Sequence, residues 1–150
     1  MKNTLKWTGD MKFESVAGTN AVPMDANPPI GGGSAQTPKE LVAAGLGGCT
    51  AMDVVALLKK HKQPFESLEV EVDVEMSKGG YPAVFTKGLL TFRASGAVDP
   101  KILLEAVHLS QTKYCGVSAM LVKAFPIEYA VILNREEIGR GRANFEEVQS

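Results

Sequence analysis

Residues 37–60 read TPKELVAAGLGGCTAMDVVALLKK. Thr37-Pro38-Lys39-Glu40 has the form of a capping box: Thr37 as N-cap, Pro38 at the first helical position, and Glu40 folding back onto the cap. The spacing predicts a helix from Pro38 to about His61, stopped by Pro64. Its first half is built from small residues: Ala43, Ala44, Gly45, Gly47, Gly48, Thr50 and Ala51. A glycine inside a helix costs roughly 1 kcal/mol against alanine. Gly45, Gly47 and Gly48 therefore need a compensating reason, such as close approach of another backbone or of a ligand. Asp53 and the Lys59-Lys60 pair bound the apolar stretch and argue against a membrane span.

Outward from this helix the pattern changes. Leu5 to Trp7 and Met11 to Val16 read as short strands separated by Gly9-Asp10, with Ala21 to Met24 as a third. Asp25 to Gln36, DANPPIGGGSAQ, is a Pro/Gly loop. Downstream, Leu68, Val70, Val72, Val74 and Met76 alternate with Glu69, Glu71, Asp73 and Glu75, the signature of a half-buried strand with an acidic outer face. Gly79-Gly80 turns the chain into a partner strand over Ala83 to Ala94. Asp99-Pro100 opens a second helix, which Tyr114-Cys115-Gly116 breaks; Val117 to Lys123 reads as a further helical turn or two, and Phe125 to Leu133 as a last strand. Hairpins with segregated helices predict an antiparallel α+β fold, one domain over residues 1–133 with a polar tail over 134–150.

Composition narrows the function. The formal net charge is −1, which gives no pull toward nucleic acid or anionic membrane. Met1 to Lys12 is polar and alternating, without an apolar run of signal-peptide length. Two cysteines without an export signal predict a cytoplasmic location, where they are free thiols or a redox-active pair.

Those cysteines, Cys49 and Cys115, are the strongest candidates for chemistry. Taken singly, each also reads as an ordinary buried packing residue. Cys49 follows Gly47-Gly48, which leave space for a reactant, but it stands about three turns into the helix, beyond reach of the N-terminal dipole. Asp53, four residues on, would oppose a thiolate there, so a reactive Cys49 needs a cation or hydrogen-bond donor from another element. Cys115 stands at the predicted helix break, where freed N–H groups can support an anion. His61 and His108 lack zinc-ligand spacing to either cysteine, and Gly31-Gly32-Gly33 lacks the P-loop lysine and the dinucleotide pattern, so neither metal nor cofactor is expected.

In these two segments, Thr37 to Leu41 through Gly47-Gly48-Cys49-Thr50-Ala51-Met52-Asp53-Val54-Val55, and Leu109-Ser110 through Lys113-Tyr114-Cys115, the chain resembles the OsmC/Ohr family of osmotically inducible and organic hydroperoxide resistance proteins, in its OsmC-like branch. The resemblance implies antiparallel sheets wrapped around central helices in an intertwined homodimer. It also implies reduction of a small organic hydroperoxide, with Cys49 as the peroxidatic thiol, Cys115 as the resolving thiol and an external dithiol as reductant. Lys39, Glu40 and Gly48 are the candidate binding residues, Glu40 lying one residue past the family's glutamate position. Family members use an arginine from the N-terminal strands and a glutamate right after the helix-start proline. Here the first arginine is Arg93, and Lys39 stands at the glutamate position. Lys39, Arg93 or the C-terminal arginines are the cations left to substitute. The alternatives at this point are a non-enzymatic binder of a small apolar ligand, with the 25–36 loop and Gly45–Cys49 lining its cleft, and a redox sensor.

Overall fold

The computed structural model describes residues 1–145, so the end of the expected tail, 146–150, lies outside the described residues. The chain forms two compact units, Met1–Val42 and Ala43–Ser150.

In the first unit, β1 (Thr4–Gly9), β2 (Lys12–Ala17) and β3 (Asn20–Met24) make an antiparallel sheet in that order. The Pro/Gly loop that follows is fixed from within. Asp25 is buried, and its carboxylate accepts hydrogen bonds from Ala26 N (2.8 Å), Ser34 N (3.0 Å) and Ser34 Oγ (2.8 Å). The loop leads into α1 (Pro38–Lys60) through the expected capping box: Thr37 N donates to Glu40 Oε2 at 2.7 Å, and Glu40 N to Thr37 Oγ1 at 3.3 Å.

The second unit holds a four-stranded sheet in the order β4 (Phe65–Met76), β5 (Phe85–Gly96), β6 (Ile127–Leu133), β7 (Glu136–Arg142). Along β4 the valines are half-buried and Glu69, Glu71, Asp73 and Glu75 are exposed, as the alternation predicts. Pairing is antiparallel except between β5 and β6, which run parallel from Gly88↔Ile127 to Ala94↔Leu133. A helical crossover joins these two strands: α2 (Pro100–Leu109), a π-turn (Ser110–Tyr114) and α3 (Gly116–Leu121). The expected tail is corrected over 136–142, where the chain forms β7 on the edge of β6. Ile138 is the only large apolar residue of that strand, so no alternation announced it.

By length and composition α1 would suffice to cross a membrane. In this fold its Leu46, Val54 and Leu58 join Leu90, Phe92, Leu103, Val107 and Val131 in one core. Each such side chain contributes roughly 1.5–3 kcal/mol by leaving water. At Gly47 the close neighbour is a side chain, in place of the backbone or ligand expected: a Cβ there would stand 2.8 Å from Val72 Cγ2. At Gly45 and Gly48 a Cβ would meet nothing within 4 Å.

Candidate thiol site

Cys49 lies half-buried on α1, and Cys115 is fully buried where the π-turn gives way to α3. The break expected at Tyr114-Cys115-Gly116 is present: Cys115 is extended (φ −71°, ψ 100°) between two helical segments. Its N–H donates to Ser110 O at 3.0 Å, closing a turn one residue wider than an α-helical one. Its Sγ accepts Ser118 N–H at 3.3 Å and so caps α3.

The two thiols are neighbours. Burial pushes the Cys115 thiol up, Ser118 opposes that rise, and the nearby Cys49 thiol raises it further. The fold thus brings together the two cysteines that stand far apart in sequence, and both are free thiols.

Next to them lies a buried polar chain that sequence reading did not find. Thr50 Oγ1 and Ser110 Oγ are 2.7 Å apart, Ser110 Oγ donates to Asp53 Oδ2 at 3.0 Å, and Gln111 Nε2 donates to Thr50 Oγ1 at 2.7 Å. Thr50, Ser110 and Gln111 are fully buried. Asp53, expected as a charge opposing Cys49, here serves as the acceptor that ends this chain. The available signal was Thr50 and Asp53, polar residues three apart on one face of an otherwise apolar helix. Gln111 Oε1 and Ser118 Oγ are buried without a hydrogen-bond partner, an uncommon state for native polar atoms.

The remaining candidates fall elsewhere. Lys39 and Glu40 lie in the first unit at the start of α1. Lys39 is exposed, and Glu40 is engaged in the capping box, where the Thr37 N–H and then its hydroxyl hold the carboxyl below the usual range. Gly48 is half-buried on α1 beside Cys49. Arg93 lies between Glu69 and Glu71 at 3.4 Å from each, Arg140 pairs with Glu137, and Arg142 with Glu128. These arginines are thus engaged with surface carboxylates. Among the described residues, no group of three or more His, Cys, Asp or Glu is placed to hold a metal ion.

Residues 31–130 match the family of OsmC-like proteins. Protein YhfA of Escherichia coli (strain K12) is 35% identical over 133 residues, which cover 87% of this chain and 96% of YhfA. An OsmC-like protein from Mycoplasma pneumoniae superposes with a TM-score of 0.76 at 15% identity, covering 88% of this chain and 95% of that one. An organic hydroperoxide resistance protein from Elizabethkingia anophelis superposes with a TM-score of 0.64 at 18% identity, covering 89% and 97%.

Proposed function

Because the chain belongs to the OsmC-like protein family, we propose that it is a cytoplasmic thiol-dependent peroxidase that reduces small organic hydroperoxides through Cys49 and Cys115. The observation that carries this reading is the adjacency of two free thiols held on different elements. A pair so placed suits a two-cysteine cycle. The Cys49 thiolate attacks the distal peroxide oxygen, the O–O bond breaks, and the alkoxide leaves and is protonated to alcohol. Cys49 is then a sulfenic acid. Cys115 condenses with it to a disulfide with release of water, and an external dithiol reduces the pair by exchange. The open positions at Gly45 and Gly48 suit a second copy of the chain packed along α1, in keeping with a homodimer.

A specific observation favours a second reading. Glu40 is engaged in the capping box and Lys39 stands in place of the family glutamate, which suits a redox sensor or a small-molecule binder without turnover. Turnover of cumene hydroperoxide with a dithiol separates the readings. The expected result is consumption abolished by Cys49→Ser, and by Cys115→Ser slowed with a persistent sulfenic acid. Consumption that Cys49→Ser leaves unchanged would sink the peroxidase. Oxidation to a disulfide without recycling would favour a sensor, and no change of mass a binder.

A further inference from the structure

We propose that Ser110 is a positioning residue for disulfide formation, tying the Cys115 segment to the helix that carries Cys49. This inference rests on the peroxidase reading of the thiol pair.

Ser110 is fully buried and engages in two directions. Its carbonyl accepts the Cys115 N–H at 3.0 Å, so it closes the π-turn that sets the backbone of Cys115. Its hydroxyl meets two residues of α1, Thr50 at 2.7 Å and Asp53 at 3.0 Å. Thr50 directly follows Cys49.

The proton positions follow from the partners. A serine hydroxyl has one hydrogen, and the hydrogen of Ser110 goes to the Asp53 carboxylate, which accepts only. Thr50 must then donate to Ser110, and it is free to do so because it accepts from Gln111 Nε2. The chain runs one way: Gln111 to Thr50 to Ser110 to Asp53. Removing the Ser110 hydroxyl breaks two buried bonds at once, and both join the crossover to α1.

The step that depends on this tie is resolution. The Cys115 sulfur attacks the sulfenic sulfur of Cys49, the S–S bond forms and the S–O bond breaks. Hydroxide leaves and takes up the proton lost by Cys115, giving water. Cys115 sulfur is oxidised and Cys49 sulfur reduced, the hydroperoxide having supplied the oxidation in the step before. A disulfide needs its Cα atoms within about 7 Å, and misplacement of reacting atoms by about 1 Å can cost on the order of 100-fold in rate. Attack on the peroxide itself uses only Cys49, so it does not need the tie.

The test oxidises wild type, Ser110→Ala and Ser110→Thr with one equivalent of cumene hydroperoxide, with and without dimedone, followed by intact mass. Cys49 sulfenic acid should form equally fast in all three. Disulfide formation, read as loss of two hydrogens, should fall about 10- to 100-fold in Ser110→Ala, with the dimedone adduct accumulating, and return in Ser110→Thr. Unchanged disulfide formation in Ser110→Ala, or no recovery in Ser110→Thr, overturns the proposal. If wild type forms no disulfide, the peroxidase reading fails instead. Thr50→Val removes one of the two bonds of this tie from α1 and leaves the one to Asp53; a smaller loss of disulfide formation in it carries the test if circular dichroism shows Ser110→Ala unfolded, and no loss overturns the proposal.

Discussion

Thr50 shows how much a single buried hydroxyl holds. Thr50→Val keeps the shape but leaves the Gln111 amide and the Ser110 hydroxyl each short of a partner. A buried polar group left unsatisfied costs about 1–3 kcal/mol, so urea denaturation should show a loss of that order, and Thr50→Ser should recover most of it. Asp25 makes a prediction in pH. The Ser34 N–H, then its hydroxyl, together with the Ala26 N–H and the Lys12 charge, hold its carboxyl below the usual range against the effect of burial. A lowered folded value stabilises above the unfolded pKa and is lost as pH falls through the folded one. Asp25→Asn should therefore lower Tm at pH 7, and the gap to wild type should close on acidification below about pH 4. Cys115 has the opposite sign. Its thiol is pushed up mainly by burial, so disulfide formation after a peroxide pulse should keep accelerating beyond the ordinary thiol range of about 8.5.

Elements differ in how plainly the sequence announced them. The bounds of α1 were legible because capping box, basic last turn and Pro64 are local signals. The break at Cys115 was legible for the same reason. Strand β7 was not, since one apolar residue among Glu136, Glu137, Arg140 and Arg142 carries no period of two. The parallel direction of β6 was hidden because alternation encodes a face and not a direction. The hydroxyl chain was hidden as well: it pairs α1 with the π-turn, and only the folded chain brings them together. The glycines of α1 give this scale its test. Gly47→Ala drives a Cβ to 2.8 Å from Val72 Cγ2 and should destabilise despite the gain in helix propensity. Gly48→Ala meets open space within the chain and should stabilise by up to about 1 kcal/mol if that face is free. Thermal melts of the two variants side by side check both signs.

For the molecule as a whole, Gly45 and Gly48 also probe assembly. If a second copy packs along this helix, Gly45→Leu should shift the protein from dimer to monomer in sedimentation equilibrium, while leaving a monomer's mass untouched otherwise. The family was legible from two short segments because they carry the thiols and the cap. The absent N-terminal arginine and the Lys39 substitution mark where the resemblance stops short. The parallel pairing of β5 with β6 has one more consequence, for the order of events at synthesis. Cys115 rides on the crossover between those strands, and contacts of long sequence separation form late. A chain emerging from the ribosome has already exposed Cys49 when Cys115 appears, yet the two have no local route to each other. On the peroxidase reading proposed above, redox competence would thus mark completed folding: a nascent or misfolded copy offers two unrelated thiols, and only the finished molecule offers a pair.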